Sequence, residues 1–134
     1  MSTEKNNMVT ALKKVVVPEL RERGFKGSFP HFRRISVNKI DLITFQFDRY
    51  GGGFVIEVGV CSPEGVIHHW GEKVLPNKVT AHDLHPDRRL RLTGNNGEWF
   101  SYDLENLSGD IYENVADKVL TQLNKAEEHW NLTT

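Results

Sequence analysis

The chain has 134 residues, of which 38% are hydrophobic and 26% are charged, and its formal net charge is −1. This length is typical of one domain with a real hydrophobic core, and the composition excludes disordered and collagen-like chains. No stretch approaches the roughly 20 apolar residues that a membrane-spanning helix needs. We therefore predict one globular domain over residues 1–134, with no membrane as partner.

The predicted compartment follows from the N-terminus and from cysteine usage. Residues 1–7 are polar and lack the apolar segment of a signal peptide. The single cysteine, Cys61, excludes an intramolecular disulfide and is typical of a reducing compartment. The sequence therefore predicts a cytoplasmic protein in which Cys61 is a structural thiol.

Charge is unevenly distributed along the chain. Residues 1–49 contain ten Lys and Arg against five Asp and Glu, whereas residues 98–134 contain two against eight. Segments of opposite charge either form a patch for an anionic partner or neutralise each other where they pack together. We favour neutralisation, with a basic N-terminal helix beside an acidic C-terminal helix.

The first predicted element is an amphipathic helix over residues 6–23. Gly24 is well placed to end it, with a hydrophobic contact between Leu20 and Phe25 across the helix end. Pro18 removes a backbone donor, so we expect a kink or a fresh start of the helix there. The apolar stripe of this helix consists of Val9, Leu12, Val16 and Leu20.

A β-hairpin over residues 40–61 is the strongest pattern in the middle of the chain, after a shorter predicted strand at 32–37. Large apolar side chains alternate with polar or smaller ones in both strands of the hairpin. The Gly51-Gly52 pair can adopt the positive φ angles of a two-residue turn. That turn would place Phe47 opposite Ile56 and Gln46 opposite Glu57.

The hairpin is followed by a connection of 26 residues, 62–87, with only short hints of strand. Connections of this length are usually functional, disordered or misread. Its many apolar residues argue against disorder. We expect an ordered flap that is pinned by Trp70 and Leu75 and presents His68 or His69, Lys73 and Lys78 outward.

Two more strands and a second helix complete the prediction. Residues 89–93 and 98–102 are the strands, and the turn at 94–97 would pair Leu92 with Trp99. Asp110 and Glu113 form a capping box before the C-terminal helix. The predicted fold is α+β, an antiparallel sheet of about five strands with the N-terminal and C-terminal helices packed on one face. The stripe of the second helix consists of Ile111, Val115, Val119, Leu123 and Ala126.

Four features in this order resemble the uncharacterised domain-of-unknown-function family 4304. They are the helix ending in Gly24-Phe25, the strand Thr44-Phe45-Gln46, the glycine turn before Phe54, and the Arg-Leu strand leading to Trp99-Phe100. The resemblance spans roughly residues 9–123. It implies a bacterial cytosolic setting that includes toxin-immunity loci, whose small proteins bind and block a toxin. It supplies no catalytic residues.

The residues best suited to metal binding lie at 82–87. Imidazole and carboxylate groups are good ligands for zinc or another divalent ion. The same residues are equally typical of a turn in which the carboxylates accept hydrogen bonds from nearby backbone amides. A metal site would need further ligands from His68 and His69, which point in opposite directions in an extended segment. The candidate ligands are His82, Asp83, His85 and Asp87.

Other polar and aromatic residues are candidates for binding a ligand or partner. Arginines near Trp99 suggest a nucleic-acid platform, but a pI of about 6.6 argues against that partner. The Gln46–Glu57 pair either lies on the outer sheet face or lines a groove. Trp70 is equally suited to an interface or to packing beneath the connection. The candidate binding residues are Gln46, Glu57, His68, His69, Trp70, Arg89 and Arg91.

These observations support a non-enzymatic binding protein whose partner is another protein, and the family resemblance favours an immunity-type inhibitor of a bacterial toxin. The chain has no nucleophile elbow, phosphate loop or Cys-His pairing, and we predict no catalytic residues and no cofactor. The first alternative is a metal-dependent hydrolase that uses a divalent metal at residues 82–87. The second is a nucleic-acid-binding module.

Overall fold

Two long helices and a six-stranded antiparallel sheet form the frame of the protein in a computed structural model, which describes residues 3–103 and 110–132. This confirms the predicted α+β class. The helices are α1 (Thr3–Glu22) and α2 (Ile111–Leu132). The strands are β1 (Lys26–Ser28), β2 (His31–Ile35), β3 (Ile40–Phe47), β4 (Gly53–Cys61), β5 (Val66–Ile67), β6 (Lys73–Val74), β7 (Arg89–Arg91) and β8 (Phe100–Ser101). Two 3-10 helices cover Ala81–Asp83 and Pro86–Arg88.

Helix α1 is longer than its sequence predicts. It begins at Thr3 and runs through Pro18 without a break, so the expected new start at that residue is wrong. Its end is as predicted, because Gly24 has a φ of 96° and Phe25 N donates to Leu20 O at 2.9 Å. The bond closes the last turn and brings Leu20 and Phe25 into the same core.

Helix α2 lies beside α1. The acidic C-terminal segment and the basic N-terminal segment neutralise each other, which is the alternative that we favoured from the sequence. Asp110 caps α2 by accepting from Tyr112 N at 2.9 Å, while Glu113 accepts from Lys14 Nζ at 3.1 Å. Arg23 reaches Glu127 of α2 at 3.4 Å. Among the described residues, neither helix has a stretch apolar enough to cross a bilayer.

The hairpin of β3 and β4 has the predicted faces but a different register. Phe47 lies opposite Phe54 rather than Ile56, and Gln46 lies opposite Val55 rather than Glu57, so the predicted pairing is wrong by two residues. The turn occupies residues 48–52 because Asp48 O accepts from Gly51 N at 3.0 Å and the Asp48 carboxylate accepts from Tyr50 N at 2.8 Å. These local hydrogen bonds stabilise a turn that is longer than two residues.

Strands β7 and β8 do not form the predicted hairpin. Both pair with β4, one after the other along the same edge, so the proposed pairing of Leu92 with Trp99 is wrong. The Asn95 side chain accepts from Ser101 N at 2.7 Å and donates to Ser101 O at 2.9 Å. This amide occupies the backbone positions that a neighbouring strand would otherwise use.

The sheet has a hydrophobic core on each face. The helices cover one face, where Phe32, Phe45 and Phe54 pack against both helical stripes and Trp130. The other face carries a smaller core in which Ile40, Leu42 and Cys61 contact residues of the long connection. The connection is therefore a second layer of the fold and not only a flap.

An ion-pair network joins α2 to the sheet and makes stability dependent on pH. Arg34 donates two hydrogen bonds to the Glu127 carboxylate, at 2.8 and 3.1 Å, and these bonds lower the pKa of Glu127 although burial opposes them. A carboxyl with a lowered pKa stabilises the fold above its unfolded pKa of about 4.3. That contribution is lost as pH falls through the folded pKa.

Glu127→Gln should therefore lower the free energy of unfolding by about 1–2 kcal/mol at neutral pH. The deficit should shrink at about pH 3, which lies below the unfolded pKa, because the contribution of the charged carboxyl is lost as pH falls through the lowered folded pKa. Urea denaturation at both pH values measures the difference. Glu128→Gln, at the exposed neighbouring position, is the matched control and should have little effect. An equal deficit at both pH values would contradict the assigned role of the charge.

Candidate functional site

The connection between β4 and β7 folds over the second face of the sheet. Val79, Ala81 and Leu84 are buried against this face, and Ala81 N donates to Thr44 Oγ1 at 3.3 Å. The prediction that Trp70 and Leu75 pin the segment is wrong, because these side chains are 63% and 53% exposed. The attachment lies later in the connection, where small and medium apolar side chains fit beside Gly59.

A cavity of about 530 Å³ lies between the β5–β6 hairpin, the two 3-10 helices and the end of β4. It brings together the histidines at 68–69 and the cluster at 82–85, which are more than ten residues apart in sequence. Its apolar lining includes Val60, Val66 and Leu84. Of the predicted site residues, His68, His69, Trp70, His82, Asp83 and His85 line this cavity.

One hydrogen bond fixes the hairpin to the first 3-10 helix. His68 donates through Nε2 to Asp83 Oδ1 at 3.1 Å, which leaves Nδ1 as an acceptor in the neutral ring. The His68 ring stacks on the Trp70 indole, with centroids 4.3 Å apart and an angle of 5° between the planes. The same Asp83 carboxylate accepts from Thr80 N at 2.8 Å. The aromatic pair is thus held in a defined position.

The four predicted metal ligands point to different partners. Asp83 binds His68 and Thr80 N, while His82 lies 3.8 Å from Glu57. His85 accepts through Nδ1 from Asp87 N at 3.1 Å, and both of these side chains are largely exposed. Across residues 3–103 and 110–132, no three His, Cys, Asp or Glu side chains are grouped to hold a metal ion. The geometry therefore favours the turn interpretation of this cluster.

Three of the other predicted binding residues form an ion-pair cluster beside the cavity, in which Glu57 is buried and Arg91 is partly exposed. Glu57 accepts from Arg89 Nη1 and from Arg91 Nε, both at 3.0 Å. Arg89 also donates to Leu84 O at 2.7 Å and to His82 O at 3.0 Å. These bonds join β4 to the 3-10 helices, so Glu57 and Arg89 position the cavity wall. Gln46 is exposed on β3 and does not line the cavity.

Burial determines the protonation of two groups near the second face. It raises the pKa of the Cys61 thiol to about 11, with a further contribution from the Asp83 charge, so the thiol is protonated at neutral pH. Burial also lowers the pKa of His31, which lies beside His82 and shares a hydrogen bond with Thr44 Oγ1. Neither group supplies a charged nucleophile at this site.

Comparison with known families confirms the family resemblance noted in the sequence. The domain of unknown function DUF4304 matches residues 16–131. The chain belongs to the DUF4304 family. No curated protein and no solved structure matches it significantly. The family assignment of this DUF4304 protein therefore extends from α1 to the last turns of α2 and includes the whole second face.

The apolar lining of the cavity in this DUF4304 chain is not apparent from the sequence. The sequence predicts only that Val60 and Cys61 lie in a strand and that Val66 and Leu84 lie in the connection. One signal was present, since β4 carries the small residue Gly59 on the face opposite the helices. An ideal Cβ there would lie 2.3 Å from a Leu84 methyl carbon. Small residues in a central strand can indicate close approach of another segment.

Proposed function

We propose that this protein is a non-enzymatic binding protein whose partner is another protein. The observation that carries the proposal is the exposed apolar surface of the β5–β6 hairpin, which is held on an ordered frame. Ile67 is 71% exposed, and Trp70 and Leu75 are also exposed in this small region. Exposed aromatic and aliphatic side chains that cluster on a rigid element are typical of protein interfaces.

The order of this surface supports a docking role. Gly71 N donates to His68 O and His68 N donates to Glu72 O, both at 2.8 Å, so the tip around Trp70 has a defined backbone. The Trp70 indole donates to Glu72 at 3.3 Å and stacks on His68. A preorganised tryptophan loses little conformational freedom when a partner covers it, and this favours binding.

The biological setting is part of the proposal. The family resemblance suggests toxin-immunity loci, so we propose a bacterial, cytoplasmic, immunity-type inhibitor that covers a toxin surface with the β5–β6 hairpin on the outside of the second layer. The protonated Cys61 thiol and the separated His and Asp side chains at 82–87 favour binding over hydrolysis. Neither arrangement presents an activated nucleophile among the described residues.

Trp70→Ala should weaken binding to a toxin encoded beside the gene by about 30-fold or more, as expected for an interface tryptophan. Calorimetric titration of the two purified proteins measures the change. Tyr50→Ala is the matched control, because Tyr50 is an exposed aromatic residue on the β3–β4 turn, away from the hairpin. Equal affinities of both variants would contradict the proposed interface.

Metal analysis of the purified protein separates this proposal from the hydrolase alternative. Binding alone requires no stoichiometric metal. Zinc, manganese or iron that is retained in a one-to-one ratio, and lost when His82 and His85 are both changed to alanine, would favour the hydrolase.

A further inference from the structure

The cavity described above has an uneven distribution of charge around its apolar lining. Asp83 is the only carboxylate among the described residues that line it, and that group is already engaged by His68 and by Thr80 N. Arg88 lines the same cavity, and its side chain forms no hydrogen bond or ion pair with another described side chain. Its charge acts on the Cys61 thiol, which also lines the cavity. The cation is therefore available to an incoming group, whereas the carboxylate is not.

Another part of the lining is aromatic. His68 and Trp70 are stacked nearly parallel, and His69 meets the indole edge-on with centroids 4.8 Å apart. Flat rings held in this way offer faces and edges on which another planar ring can stack. Val66 and Leu84 add apolar surface to the same lining. The cavity therefore complements a ligand with an apolar planar part and an anionic end.

We propose that this cavity binds a small aromatic carboxylate, with its ring against the His68–Trp70 side and its carboxylate at Arg88. The volume of about 530 Å³ lies within the range of small-molecule sites, which is roughly 300–1,000 Å³. Guanidinium is well suited to a carboxylate because its donors match the two oxygens. The site shares Trp70 with the proposed protein interface, but its test is separate because it requires only the free protein and a small molecule.

The probe is 2-naphthylacetate, and the neutral analogue 2-naphthylacetamide tests the charge. In a nuclear magnetic resonance titration of the full chain, the acid should bind one site with a Kd of about 1 mM or below, as expected for a ligand of this size. Amide shifts should be confined to residues 60–70 and 82–88. The acetamide should bind at least about tenfold more weakly, since it lacks the charge that Arg88 recognises.

Arg88→Gln should weaken binding of the acid about tenfold and leave binding of the acetamide unchanged. Arg88→Lys should restore part of the affinity. Arg49→Gln is the matched control, because it removes the same charge from the β3–β4 turn and should leave both affinities unchanged.

Several results would overturn the inference. They are no saturable binding, shifts spread over the whole chain, equal binding of acid and acetamide, or equal effects of the Arg88 and Arg49 variants. A peptide with an aromatic residue next to glutamate serves as a further arm. If it binds the cavity much more tightly than the free acid, the cavity belongs to the protein interface and the small-molecule assignment is wrong. Calorimetric titration with the protein partner tests the proposed protein interface, and its result is separate from all of these.

Discussion

Replacing Phe45 with alanine should lower the free energy of unfolding by about 3–5 kcal/mol. The side chain is 2% exposed and lies between the sheet and the helices. Its ring centroid is 5.0 Å from that of Phe29, 6.3 Å from that of Phe32 and 6.5 Å from that of Phe54. Truncation would remove the contacts of all three rings and leave a cavity that rigid neighbours cannot fill.

Gln46→Ala is the control for this experiment, because the next residue of β3 points to the opposite face and is exposed. It should change the free energy of unfolding by no more than about 0.5 kcal/mol. Urea denaturation of both variants gives the comparison. Similar losses of unfolding free energy for the two variants would mean that the face of β3 that carries Phe45 is not the buried face.

The faces of β3 and β4 could be predicted from the sequence, but their register could not. Side chains in a strand alternate with a period of two, so a shift of two residues leaves every apolar group on its own face. The choice between Phe54 and Ile56 opposite Phe47 depends on the turn alone. The length of this turn is set by Asp48, whose backbone oxygen and carboxylate both accept hydrogen bonds from the residues that follow.

The position of β8 shows how a side chain can replace a strand partner. The sequence at 94–97 is rich in turn residues, and a turn does form there, with Gly94 N donating to Gly97 O at 2.7 Å. The Asn95 amide then satisfies the backbone of Ser101, so β8 continues along β4. Turn composition predicts where the chain reverses but does not identify which strand it joins afterwards.

The candidate site could be predicted only as separate parts. His68 and Trp70 were identified near one another, as were His82 and Asp83, but their meeting depends on how the connection lies on the sheet. Both β5 and β6 have two residues, too few to show a period. The His and Asp side chains at 82–87 contact other groups of the protein. Their spacing in the sequence does not distinguish such contacts from metal binding.

Glu57→Gln should lower the free energy of unfolding by about 2–3 kcal/mol, because it removes the charge that two arginines share on the second face. Glu57 is buried, and its oxygens lie 3.0 Å from Arg89 and 3.0 Å from Arg91. The expected loss is below the upper range for a broken buried pair, since the Arg91 side chain is 39% exposed and water can partly solvate it. Denaturation in urea at neutral pH measures the loss.

The effect of Glu57→Gln should also be local. Arg89 holds both Leu84 O and His82 O, so a loosened Arg89 should raise hydrogen exchange across residues 79–88 more than in α2. Glu98→Gln is the matched control, since Glu98 is 64% exposed and lies 3.6 Å from the same Arg91; it should cost at most about 0.5 kcal/mol. If Glu57→Gln instead keeps full stability but loses partner binding, Glu57 contacts the partner as its sequence position first suggested. Equal losses for the two variants, with no local exchange, would contradict the cluster's structural role.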